Sequence, residues 1–128
     1  MPTNEYVQKL RHDTKEANKF FAKKLAYTLG PVELGEMLEQ NKVKLIDVRK
    51  KEDYEDSHIP QAINIEYAQL KESLHMLSRS DIHVVCCYNQ QCHLGARAAF
   101  VLTENGFATM ELEGGFKVWK EDFKFPTV

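Results

Sequence analysis

Cys87 stands where an apolar run gives way to a polar one. Ile82-His83-Val84-Val85-Cys86-Cys87 is followed by Tyr88-Asn89-Gln90-Gln91-Cys92-His93, and then by a helical stretch from Leu94 to Asn105. A thiol at a strand exit, facing the first turn of the next helix, meets unpaired N–H groups and the positive end of the helix dipole. Such surroundings favour the thiolate, the form that attacks and forms covalent intermediates. Cys87 is therefore the candidate nucleophile. Cys92 lies in the same loop and offers either an alternative nucleophile or a resolving thiol that closes a disulfide. Backbone N–H groups from Tyr88 through Asn89, Gln90, Gln91, Cys92, His93 and Leu94 to Gly95 are the donors that would hold an anion. His93 and Arg97 are the nearby cations, and Arg97 reads equally well as an exposed helix residue. Cys86, next to Cys87 on a strand, must face the other side of the sheet and reads as core. Cys87, Cys92 and His93 lack a second ligand pair at zinc-like spacing, so no metal and no cofactor is expected.

The elements that position this loop follow from periodicity and breakers. Residues 1–27 form an N-terminal segment in which Thr3 to Ala26 reads as one long amphipathic helix, capped by Thr3 or Asn4. Its stripe of Tyr6, Val7, Leu10, Phe20, Phe21 and Leu25 suits docking on the body of the domain, or a face for a protein partner or homodimer. Residues 28–128 form the second unit. Gly30-Pro31 opens a helix that ends near Asn41. Val43 to Val48 reads as a strand, Lys50 to Ser57 as a polar stretch with one helical turn, and His58-Ile59-Pro60 as extended. Ala62 to Ile65 is a strand, Tyr67 to Leu77 has helical spacing, and Phe107 to Leu112 is a further strand. Gly114-Gly115 breaks that strand before a short helix around Trp119, which reads as a core lid. Strands alternating with helices predict an α/β domain with a mainly parallel sheet, where sites form beyond the carboxyl ends of the strands.

Composition sets limits. At 128 residues the chain has the length of one domain, and a net charge of −2 gives no field for nucleic acid or an anionic membrane. No apolar run is long enough to span a bilayer, and Met1 to Gln8 lacks a secretory core. The 3 cysteines, two of them adjacent, do not make a disulfide framework, so a reduced cytoplasmic setting is expected.

Three segments together resemble the rhodanese-like domain family. Leu45-Ile46-Asp47-Val48-Arg49, Tyr54 and His58-Ile59-Pro60-Gln61-Ala62-Ile63-Asn64-Ile65 are similar to its first segment. Val84-Val85-Cys86-Cys87 is similar to the strand that delivers its active cysteine. Ala98-Ala99, Leu102, Gly106-Phe107 and Leu112-Glu113-Gly114-Gly115-Phe116-Lys117-Val118-Trp119 are similar to its closing segment. The resemblance implies a three-layer α/β/α fold with about five strands. Ser57 and Gln61 stand where the family has turn glycines. The interval from Cys87 to Ala98-Ala99 is longer than usual, a long-loop variant. A competing alignment reads Cys92-His93-Leu94-Gly95-Ala96-Arg97 as the compact loop, but it would extend a strand through Asn89-Gln90-Gln91 and shorten the helix behind it.

The resemblance implies a single-domain sulfurtransferase. Cys87 would take sulfane sulfur from thiosulfate or a persulfide donor and pass it from a cysteine persulfide to a thiol or cyanide. Asp47 and Arg49 would anchor the loop after their strand, and His58 would hold a turn. The alternative is a non-catalytic interaction or regulatory module, suggested by the uncharged loop and the extra helix. A phosphatase of this fold would want an arginine six positions after the nucleophile. That position is His93 from Cys87 and Ala98 from Cys92, which disfavours phosphate chemistry.

Overall fold

A computed structural model describes residues 4–128. The N-terminal segment is two helices, α1 (Glu5–His12) and α2 (Thr14–Tyr27), rather than one. Asp13 makes the break: its Oδ1 accepts the N–H of Glu16 at 3.1 Å, so it caps a new helix instead of continuing the old one. Asn4 caps α1 through the N–H of Val7 at 2.9 Å, while Thr3 lies outside the described residues. Neither helix buries a single residue, so the apolar stripe does not dock: Tyr6 is 70%, Phe20 62% and Leu25 77% exposed.

Five strands form one parallel sheet. They are β1 (Thr28–Leu29), β2 (Lys44–Asp47), β3 (Ile63–Asn64), β4 (His83–Cys86) and β5 (Thr109–Leu112), in the order β1-β5-β4-β2-β3. The edge strand β1 has no counterpart in the sequence reading; two residues between a helix end and Gly30-Pro31 carry no periodicity. Crossovers are α3 (Pro31–Glu39), α4 (Lys51–Asp56) and α5 (Leu94–Glu104), with a last turn α6 (Gly115–Lys117) that widens into a π-turn at Val118–Asp122. Tyr67–Gln69 and Lys71–Met76 are 3-10 turns, not an α-helix. There the Ser73 hydroxyl donates to the Gln69 carbonyl at 2.9 Å, the acceptor an α-helix would have used.

Strand alternation splits the core into two layers. Leu45, Val84, Cys86 and Met110 pack with Leu34 and Trp119 on one face; Ile46, Val85, Cys87, Ala98 and Leu102 pack on the other. Apolar side chains on both faces are what a covered parallel sheet requires. In register, Asp47 pairs with Cys86, and the Val48 N–H donates to the Cys86 carbonyl at 3.0 Å. The carboxyl ends of β2 and β4 are therefore level, and the segments after Asp47 and after Cys86 leave the sheet side by side. Gln61 adopts φ +73°, the left-handed conformation a glycine takes freely, whereas Ser57 is simply extended. Trp119 covers Gly35, with its ring 3.7 Å from where a Cβ there would lie, and its Nε1 donates to the Pro126 carbonyl at 2.8 Å. Among the described residues no helix is long and apolar enough to cross a membrane.

Candidate functional site

The floor of the site is a buried ion pair at the end of β2. Arg49 Nη2 lies 2.8 Å from Asp47 Oδ2, and its Nε donates to both carboxylate oxygens at 3.0 and 3.1 Å. Arg49 Nη2 also donates to the Ser57 carbonyl at 2.7 Å, and the guanidinium lies 4.1 Å from the centre of the Phe116 ring. Burial works against the charge on Arg49, but the Asp47 carboxylate more than offsets it and holds the arginine pKa above its usual value. Tyr88, the first residue after the thiol, sits against the same guanidinium at 5.7 Å. Its hydroxyl accepts the Lys50 N–H at 3.2 Å and donates to Asp53. Asp47 and Arg49 are thus joined to each other and to the Ser57 carbonyl, with the Arg49 guanidinium facing the Tyr88 ring of the thiol loop. His58 is held apart from the thiols: it stacks on Tyr54 at 3.7 Å and pairs its Nδ1 with the Tyr54 carbonyl at 2.8 Å.

The loop from Cys87 to His93 is fastened from the opposite side by the turn after β5. Phe116 N–H donates to the Cys87 carbonyl at 2.8 Å, Lys117 N–H to the Tyr88 carbonyl at 3.0 Å, and Gly114 N–H to Gln90 Oε1 at 2.7 Å. Gly115, at φ +63°, approaches so closely that a Cβ would lie 2.7 Å from the Cys87 carbonyl oxygen and 2.8 Å from Asn89 N. Within the loop, Asn89 Oδ1 accepts the Gln91 N–H at 3.1 Å and the Asn89 carbonyl accepts the Cys92 N–H at 3.2 Å, which curls the chain back towards α5.

This curl covers the first thiol and leaves the second partly open. Cys87 is only 3% exposed, with its Sγ 3.5 Å from the Cys92 carbonyl oxygen and 3.8 Å from that of Asn89. Burial, and then the hydrogen bond it gives to Cys92, push its pKa up to about 11, against the pull of the Gly95 and Asn89 backbone. The helix N-terminus is in place, but desolvation outweighs it. For Cys92 the balance goes the other way. Burial raises it, yet the backbone of Leu94, the Cys87 thiol and the backbone of Tyr88 together hold its pKa below the ordinary thiol value. The two neighbouring thiols are thus shifted in opposite directions, Cys87 upward and Cys92 downward. Cys86 is sealed in the opposite layer, and burial drives its pKa well up.

Cys92 lines a cleft of ≈ 250 Å³ together with Asn89, Gln90, His93, Gly114 and Glu111. A roomier hollow of ≈ 390 Å³ between Gly35, Pro60 and Trp119 contains no nucleophilic side chain. Gln91 and His93 are exposed, Leu94 is half-buried, and Gly95 is buried against Cys87. Arg97 is exposed, and its side chain makes no hydrogen bond or ion pair among the described residues. Glu111 and Gly115 are site residues the sequence reading passed over. Glu111 had a visible signal, a carboxylate between Met110 and Leu112 in a strand otherwise made to be buried.

Comparison with known proteins gives a consistent pattern. The rhodanese-like domain model matches residues 30–122. A thiosulfate sulfurtransferase, GlpE, from Coxiella burnetii is 30% identical over 90 residues, covering 70% of this chain and 82% of its own. An HTH-type transcriptional regulator, Rv0324, from Mycobacterium tuberculosis is 33% identical over 82 residues; the match covers 64% of this chain but only 36% of the regulator. Among solved structures, the BH2092 protein from Bacillus halodurans superposes with a TM-score of 0.85 at 26% identity, covering 91% of this chain and 86% of that one.

Proposed function

Because the chain belongs to the rhodanese-like domain family, we propose that it is a sulfurtransferase whose sulfur-carrying unit is the Cys87–Cys92 loop. It would move sulfane sulfur from thiosulfate or a persulfide donor to a thiol or cyanide. The observation that carries this reading is the pairing of two thiols in one amide-lined loop, with Cys92, the thiol whose pKa is lowered, facing a cleft.

The chemistry needs two displacements. The Cys92 thiolate attacks the outer sulfur of the donor. The donor's S–S bond breaks, and sulfite or a thiolate leaves with the electron pair. The acceptor then attacks the outer sulfur of the persulfide, and the Cys92 thiolate is the leaving group. In both steps the charged sulfur rests against backbone N–H groups of Tyr88 and Leu94, fixed before the reaction. The Cys87 S–H stabilises the departing thiolate by hydrogen bonding. A second reading keeps Cys87 as the persulfide carrier. It is favoured by the strand-exit position and by the Asn89 and Gly95 backbone groups that favour its anion.

Cys87→Ser and Cys92→Ser, each assayed for thiosulfate:cyanide turnover and for a bound sulfur atom by intact mass, test both. Loss of the adduct in Cys92→Ser with retention in Cys87→Ser supports the first reading; the reverse supports the second. Absence of adduct and turnover in the wild-type chain, with several donors, would return the interaction-module reading. That reading draws on the solvent-exposed apolar stripe of α1 and α2 and on the relative in which this match is one part of a longer regulator.

A further inference from the structure

Glu111 has no partner. Its neighbour Glu113 is paired with Lys24 of α2 at 3.2 Å, but Glu111 makes no ion pair and no hydrogen bond among the described residues. It is half-buried on β5 and points at the first turn of α5. A Cβ placed on Gly95 would lie 2.8 Å from Glu111 Oε2 and 3.4 Å from Cys87 Sγ, so the carboxylate and the sulfur flank the same glycine. The same cleft is lined by Cys92, His93, Glu111 and Glu113. A carboxylate therefore rests against the first turn of α5, the place where the N–H groups and the helix dipole would otherwise receive a substrate's negative charge. Burial and Glu113 raise its pKa and His93 lowers it, so the groups it responds to are those of this cleft.

A free carboxylate at this distance acts on donors by charge. Thiosulfate is a dianion and must enter beside Glu111 with no arginine or lysine of the loop to offset it, since Arg97 faces solvent. A donor whose sulfur is carried next to an ammonium group would meet the reverse situation. Charge complementarity in a partly desolvated cleft decides between such donors through repulsion of one as much as attraction of the other.

We infer that Glu111 is the specificity-determining residue of the sulfur cleft, selecting aminothiol persulfides over inorganic dianionic donors. The inference rests on the sulfurtransferase reading above. In the favoured half-reaction, the thiolate attacks the outer sulfur of the aminothiol persulfide. A new S–S bond forms to the protein, the donor's S–S bond breaks, and the aminothiol thiolate leaves; nothing else is oxidised or reduced.

The experiment compares kcat/KM for cysteamine persulfide and for thiosulfate in the wild-type chain and in Glu111→Gln, at low and at high salt. The expected result is a fall in the persulfide-to-thiosulfate ratio of about tenfold or more in Glu111→Gln, mostly from faster reaction with thiosulfate, and a smaller change at high salt where surface charges are screened. Lys24→Ala keeps Glu111 but frees Glu113, and shifts the ratio in the opposite direction. An unchanged ratio in a folded Glu111→Gln, with sulfur adducts still forming, overturns the inference and leaves the sulfurtransferase reading standing. No adduct in the wild-type chain with either donor overturns that reading, and the inference with it.

Discussion

The cradle under the thiol loop and the helices α1 and α2 are built on opposite principles. The cradle is held by groups removed from water: a bidentate ion pair, a carbonyl on the same arginine, two aromatic rings and a glycine pressed onto the loop backbone. The helices are held by capping and by two exposed ion pairs, Lys19 with Glu16 and Lys24 with Glu113, and neither has a buried residue. Each cradle group that loses its partner is left charged or unpaired in the interior, whereas each helix group that loses its partner finds water.

That contrast can be broken at the cradle first. Arg49→Met leaves Asp47 buried without its counter-charge, and denaturant unfolding should show a loss of about 3–5 kcal/mol. Next, Gly115→Ala forces a Cβ into the Cys87–Asn89 backbone at a positive φ; the same measurement should show about 2–4 kcal/mol, together with slower sulfur loading. Lys24→Ala should cost no more than about 0.5 kcal/mol, since the pair is exposed. A Lys24→Ala loss as large as that of Arg49→Met would abolish the distinction.

Two further measurements sharpen it. At neutral pH, a small alkylating reagent should label Cys92 well before Cys87, read by peptide mass; equal rates would mean that the buried thiol is not shielded. His83 lies at the opposite end of the sheet, fully buried against Phe107, with its pKa lowered chiefly by burial. A lowered folded pKa means that the unfolded chain binds the proton first. Stability is therefore complete above the unfolded value of 6.5 and falls as pH drops below it. His83→Leu should flatten that slope in pH-dependent unfolding.

Much of this was legible in the residues. The parallel sheet follows from branched apolar runs such as Val43 to Val48, and Cys86 and Cys87 facing opposite layers follows from strand alternation alone. Asp47, Arg49 and His58 could be singled out from a motif, whereas the partners each one takes are seen only in the fold. What stayed hidden depends on balances between neighbours distant in sequence. The pKa order of Cys87 and Cys92 is set by how far the loop curls over the first thiol, which no local pattern encodes. The break at Asp13 stayed hidden because a cap and a solvent-facing helix residue look alike until the side chain is seen to accept the Glu16 N–H. The exposure of α1 and α2 was illegible for a different reason. Amphipathic spacing records that a face is apolar, not what lies opposite it.

The two hydrogen bonds from Phe116 and Lys117 to the carbonyls of Cys87 and Tyr88 make the sulfur segment and the final turn a single mechanical piece. Any excursion that brings Cys87 to the outside has to snap both tethers or drag the turn along, lifting Phe116 off the Arg49 guanidinium as it goes. Access to the inner sulfur is thus governed from a stretch almost thirty positions downstream, by how firmly an aromatic ring lies on a cation.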